Sequence, residues 1–179
     1  MAIILIERSK LPVGNCFDEI WIKTLNSGNV DASQTPDVFN YYTSLSDYGI
    51  FPSQNQFRIS VEACDNSFIL LSAAKDLQSQ DFYEICIGAK ANKKSVFRRK
   101  YNAVNIISDS TPDILSCTER TTLFVIWTTN GEITVFKETN VGTETVMTWT
   151  DPNPISINGI GVMTAWGADG LWTIEYSCK

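Results

Sequence analysis

Leu123-Phe-Val-Ile-Trp127 is followed by Asn130-Gly131 and then by Ile133-Thr-Val-Phe136. Two apolar runs joined through Asn-Gly predict a β-hairpin. The pair also predicts a type I′ turn, because both turn positions of that type need φ above zero. Upstream, Phe57-Arg-Ile-Ser-Val-Glu-Ala63 alternates without a fault, with Phe57, Ile59, Val61 and Ala63 on one side. That is the pattern of a half-buried strand.

The same reading extends along the chain. Phe68–Ser72 and Tyr83–Gly88 are short apolar runs, with weaker strand candidates at Ser95–Arg99 and Ala103–Ile107. Val146–Trp149 runs into Asp151-Pro-Asn-Pro154, which must end a ladder because proline donates no hydrogen bond. Ile160–Trp166 precedes the turn Gly167-Ala-Asp-Gly170, and Leu171–Tyr176 then alternates with Trp172, Ile174 and Tyr176 on one face. Spacings of about ten residues with turn chemistry between them indicate an antiparallel sandwich or barrel, and the all-β, jelly-roll-like β-sandwich is the fold expected. Asp76–Asp81 is the one stretch expected to form a helical turn. Phe17–Leu25 reads as a strand with Ile20 and Ile22 opposite Trp21, and Ser27–Ser33 as a loop. The expected organisation is an N-terminal extension, 1–33, packed on a sandwich domain, 34–179.

Composition narrows the chemistry. The chain has 179 residues, 44% apolar and 19% charged, which is globular composition. A net charge of −6 gives no electrostatic footprint for nucleic acid. Histidine is absent, which removes Ser-His-Asp triads, Cys-His dyads and histidine-held metals. No run approaches the roughly 18 apolar residues of a membrane span. Ile3–Ile6 is too short for a signal-peptide core and its charges follow it, so the expectation is a cytoplasmic chain or a mature extracellular form. Five cysteines form no C-x-x-C pair. Cys86 lies in an apolar run and reads as core, while the penultimate Cys178 is the candidate for a bridge between chains.

Several ordered motifs together resemble a known family. They run from Phe57-x-Ile-x-Val-x-Ala63-Cys64-Asp65 and Ile69-Leu-Leu-Ser72 through Tyr83-Glu84-Ile-Cys-Ile-Gly88 and Asn92-x-Lys94-Ser95-Val-x-Arg98-Arg99. Trp149-x-Asp151-Pro152-x-Pro154 and Gly159-x-Gly161-Val-x-Thr164-x-Trp166-Gly167-x-x-Gly170-x-Trp172 complete them. The chain is similar over about 35–176 to the domain named after crustacean farnesoic acid O-methyltransferase, which implies a recognition domain of secreted and surface invertebrate proteins. The residues oppose the catalytic name. A nucleotide-binding turn leads from a parallel strand into a helix, whereas strand-like residues follow Gly159-Ile-Gly161.

The expected function is therefore non-catalytic carbohydrate binding, lectin-like, with galactose-type sugars foremost. A protein–protein or structural module is the alternative, and the farnesoic acid O-methyltransferase of the family name comes third. Trp166 and Trp172 flank a Gly-rich turn where a ring can stand exposed as a platform for a sugar face, whereas Trp21, Trp127 and Trp149 read as core. Asn92, Arg98, Arg99, Glu84 and Asp169 are the candidate polar contacts. Glu84 could instead pair with an arginine on the neighbouring strand, and alternation puts Arg98 and Arg99 on opposite faces. No cofactor is required, though Asp109, Asp113, Asp151 and Asp169 have the oxygen chemistry of calcium ligands. A one-site lectin gains avidity by self-association, so the expected partners are a glycan and a second copy of the chain.

Overall fold

Alternation along Thr121–Trp127 becomes burial: Leu123, Val125 and Trp127 face the interior, while Phe124 and Ile126 are half-buried on the other side. The computed structural model describes residues 4–5, 17–100 and 105–177. Its strands are β1 (Ile4–Leu5), β2 (Phe17–Thr24), β3 (Thr43–Ser44), β4 (Gln56–Ala63), β5 (Ser67–Ser72), β6 (Phe82–Gly88), β7 (Lys94–Arg99), β8 (Ile107–Ser110), β9 (Thr121–Trp127), β10 (Glu132–Thr139), β11 (Gly142–Thr150), β12 (Gly159–Thr164) and β13 (Gly170–Ser177). They form a seven-stranded sheet in the order β1-β2-β13-β4-β9-β10-β11 and a six-stranded sheet in the order β3-β12-β5-β6-β7-β8. Every pairing between these strands is antiparallel. The all-β sandwich expectation holds.

The β9–β10 hairpin closes differently from expectation. Gly131 has φ +88°, and Asn130 is not among the residues with positive φ. The Gly131 N–H donates to the Thr128 carbonyl at 3.0 Å, and the Thr128 N–H donates to the Glu132 carbonyl at 2.9 Å. This is a type I turn followed by a left-handed glycine at a bulge. One extra residue in the loop lets Asn130 stay right-handed, so a single glycine carries the strained angle. A side chain there would also collide with the Asp151 carbonyl.

The main core lies between the sheets. Ile59, Val61, Leu123, Val125, Trp172 and Ile174 meet Ile69, Leu71, Tyr83, Ile85, Phe97 and Val162 across it. A second core covers part of the outer face of the six-stranded sheet. Val38, Phe39 and Tyr42, from a strap running over residues 25–48, pack there on Leu70, Phe82 and Met163, together with Leu77. The strap contains two 3-10 turns, Val38–Tyr41 and Leu45–Tyr48. The helical turn expected at 76–81 is absent. Leu77 instead takes φ +67° within a series of turns, because its buried side chain plugs the second core.

Upstream of the strap, β2 pairs with β13 in register from Phe17↔Ser177 to Thr24↔Gly170. It thereby supplies an interior strand of the larger sheet, and the strap runs on across position 33. Cys64 and Cys117 form a disulfide, and Cys86 is free and buried. Cys178, with the bridge expected of it, lies outside the described residues. Among those residues no helix is long and apolar enough to cross a membrane.

Candidate functional site

Strand register builds the floor of a cavity. Phe68, Cys86, Val96 and Ser108 are successive partners across β5, β6, β7 and β8. The next row along is Leu70, Glu84 and Arg98. The strap lies over that second row and stops short of the first. A cavity of about 500 Å³ remains, floored by Phe68, Cys86 and Val96 and flanked by Arg98, Asp31, Asn105 and Ser108.

Three turns make its rim: Asp65-Asn66 between β4 and β5, Ala89–Ala91 between β6 and β7, and Trp166 after β12. Their backbone is strained. Asn66, Lys90, Ala91, Asn92 and Trp166 have φ of +45°, +54°, +55°, +61° and +56°. Left-handed conformations cost a non-glycine residue roughly 1–2 kcal/mol, and such strain gathers where geometry serves a ligand. Ala91→Gly should relieve one of these angles and, net of glycine's extra unfolded freedom, stabilise the fold by about 0.5–1 kcal/mol. Calorimetry should show a melting point raised by roughly 1–4 °C; a lower one would refute the strain.

Beneath one wall is a buried ion network. The fully enclosed Glu84 accepts from the Ala32 N–H at 3.1 and 3.0 Å, from the Tyr42 hydroxyl at 2.8 Å and from Arg98 Nη1 at 2.8 Å. Arg98 Nε donates to Asn105 Oδ1 at 2.8 Å, and Nη2 lies 3.5 Å from Asp31 Oδ2. Burial pushes the Glu84 carboxyl up, with Arg98 and the hydrogen bonds pulling back. Burial, then the charge of Glu84, pushes Tyr42 well above the ordinary tyrosine value. Burial does the same to the Cys86 thiol, which stays protonated. The network ties the strap to the sheet and aims Arg98 at the cavity.

Of the candidates read from sequence, Trp166 and Arg98 come together here, Trp166 with 36% of its surface exposed. Five others need correction. Glu84 is spent inside the network. Arg99 points to the opposite face, with Nε 2.8 Å from Asp151 Oδ2 and Nη2 donating to the Asn153 carbonyl at 3.0 Å. There Tyr83 donates to Asp151 Oδ2 at 2.7 Å, and burial lifts its hydroxyl to about 12. Asn92 uses its amide at both ends on the Leu115 backbone, at 2.8 and 3.1 Å. Trp172 is fully buried, and its Nε1 donates to Thr24 Oγ1 at 3.0 Å. Asp169 accepts from the Asn26 N–H at 2.8 Å and lines a separate cleft beside Trp21.

Trp127 is core, and Trp149 packs against Tyr83 and Phe97 with centroids 6.2 and 5.5 Å apart. Trp21 departs from the core reading. It is half-exposed with the Arg120 guanidinium 5.6 Å from its ring centre. Asp109 lies on β8, apart from the loop residues Asp113, Asp151 and Asp169, and among the described residues no group of three or more acidic or cysteine side chains is placed to hold a metal. Gly159 and Gly161 sit inside β12, where side chains would collide with the Ala74 carbonyl and with Leu77. They are packing glycines, not a nucleotide-binding turn.

Sequence reasoning missed Asp31, Asp65, Asn66 and the Cys86 floor. Asp65 closes the motif that begins at Phe57, and Asp31 sits in the loop Ser27–Ser33. Nothing local says that the two meet.

A family model described as farnesoic acid O-methyl transferase matches residues 39–178. No curated protein sequence matches the chain. Among solved structures, a native glycosidic hydrolase shares the fold at TM-score 0.52 and 11% identity, over 88% of this chain and 77% of its own. The GH43 protein BlXynB of Bacillus licheniformis, in a mutant form, matches at TM-score 0.52 and 7% identity, over 90% of this chain and 33% of its own. The carbohydrate-binding module CBM66 of Bacillus subtilis matches at TM-score 0.49 and 13% identity, over 87% and 81%.

Proposed function

We propose that the chain, which belongs to the farnesoic acid O-methyl transferase family, is a non-catalytic carbohydrate-binding module whose site is the Trp166 cavity. The observation that carries this reading is an exposed indole on the rim of a cavity on the outer sheet face, beside Asp65, Asn66 and Arg98. A flat aromatic face receives the C–H face of a pyranose, galactose-type sugars foremost, and nearby amide and carboxylate groups pair with its hydroxyls. Methyl transfer fits less well. The donor's nucleotide needs a helix N-terminus at the carboxyl ends of parallel strands, and the named strands pair only antiparallel. The Cys64–Cys117 disulfide supports an oxidising compartment. Self-association would raise the avidity of a single weak site by roughly 10²–10⁴.

A glycan array, read with and without a chelator, should give saturable binding that Trp166→Ala abolishes. S-adenosylmethionine should give no heat in a calorimetric titration of the same protein. Micromolar binding of that cofactor with a blank array would overturn the proposal.

A further inference from the structure

The cavity is layered by polarity, and the layering selects among sugars. Its bottom is the cross-strand row Phe68, Cys86 and Val96, with Ala89 beside it, and the row reaches a hydroxyl only at its exposed end, Ser108. No hydroxyl, amide or carboxylate projects from the first four side chains, and the one heteroatom is a buried, protonated thiol. The polar groups stand higher. The half-buried Asp65 and the exposed Gln34 stand toward solvent, Asn66 is enclosed beside them, and none of the three side chains makes a hydrogen bond to the described residues. Asn66 is notable because it is only 9% exposed. A plain hexose suits the mouth but not the bottom. Any hydroxyl pushed between Phe68 and Val96 would lose water and find only a thiol, a weak partner. An occupant of the whole cavity needs hydroxyls at one level and a small apolar group projecting below them, joined by something that satisfies the groups between.

We propose that the site is specific for a 2-acetamido hexose, with the acetyl methyl seated on Cys86 and Val96. This rests on the carbohydrate-binding reading of the same cavity. The methyl gains by leaving water, as the bottom of the cavity requires. The amide that carries it has one donor and one acceptor; Asp31 Oδ2 and Arg98 Nη2, 3.5 Å apart on the wall, keep capacity for both, whereas Asp31 Oδ1 is taken by the Ser33 N–H at 2.8 Å. The sugar ring is then held at the height of Trp166, Asp65 and Asn66. A 6-deoxy sugar also has a methyl, but it lies one bond from the ring and brings no amide for that wall. Val96, together with Cys86, is thus a specificity-determining residue.

The test is titration of the intact chain by NMR with N-acetylgalactosamine, N-acetylglucosamine, galactose, glucose and fucose, with saturation-transfer spectra of each. The acetamido sugars should bind at least fivefold more tightly than their parent hexoses and than fucose. Their acetyl methyl protons should take up more saturation than any ring proton. Val96→Thr keeps the shape of the residue and places a hydroxyl on the floor, so it should cut the ratio of acetamido-sugar to parent-hexose affinity to below twofold. If parent hexoses or fucose bind as well as the acetamido sugars, or the methyl is not the most saturated group, the acetamido assignment falls and the carbohydrate reading stands. If none of the sugars binds, both fall together.

Discussion

Replacing Arg98 with methionine should destabilise the protein by about 3–5 kcal/mol, because Glu84 stays buried with its countercharge gone. The deficit should depend on pH in a defined sense. Burial already raises the Glu84 carboxyl in the folded protein, and the attraction of Arg98 works against that rise. Without Arg98 the rise is larger. A folded state that holds a proton more tightly than the unfolded chain is favoured at low pH, and it loses that advantage as pH climbs from the ordinary glutamate range to the raised folded value. Denaturant titrations should therefore show Arg98→Met at its weakest above neutrality, with the gap to the parent narrowing in acid. The double variant Glu84→Gln, Arg98→Met removes both charges, keeps an acceptor for Ala32 and Tyr42, and should recover most of the loss, since a neutral amide costs far less to bury than an unpaired carboxylate. A double variant as unstable as the single one would mean that Arg98 matters for its packing and not for its charge.

The second large effect separates two tryptophans on one turn. Trp172→Ala empties the core between β2 and β4 and leaves Thr24 without its indole partner. It should cost roughly 3–5 kcal/mol, or some 6–20 °C of melting temperature for a chain of this size. Trp127→Ala should belong to the same class. Trp166→Ala removes a ring that stands out of the surface and should change stability by no more than about 0.5 kcal/mol while abolishing glycan binding. Thermal melts and one binding titration on the three variants decide the matter. An early melt for Trp166→Ala would make that residue part of the scaffold and leave the cavity without its platform.

In the sequence Trp166 and Trp172 are equivalent: both flank Gly167–Gly170, and both are aromatic. What separates them is conformation. Trp166 sits on the turn itself at φ +56°, whereas Trp172 stands inside β13 on the face that Ile174 shares. Alternation did place Trp172 and Ile174 together; it could not say that their face was the inner one. The strands were legible because each declares itself within about eight residues by period and turn chemistry. Opposite faces for Arg98 and Arg99 followed from the same period. The cavity was not legible, because its floor is a row at right angles to the chain. Phe68, Cys86 and Val96 become neighbours through register alone. Asn92, a plausible ligand contact by type, turned out to be occupied by a backbone 23 residues away.

The strap has an implication for how binding preference could change. Asp31 and Gln34 form one wall of the cavity, yet both precede the matched segment, which begins at residue 39. The sandwich behind them is held by its own interior and by β13. Grafting a different sequence over 29–37, with a backbone N–H kept at position 32 for Glu84, would remake that wall. Residues 26–28 must stay, because the Trp166 N–H donates to the Gly28 carbonyl at 2.8 Å and the Gly167 N–H to Asn26 Oδ1 at 2.9 Å. The chain thus behaves like a tool with an exchangeable jaw: half of the grip is built into the frame, and the other half arrives on a short stretch of polypeptide free to diverge at its own pace.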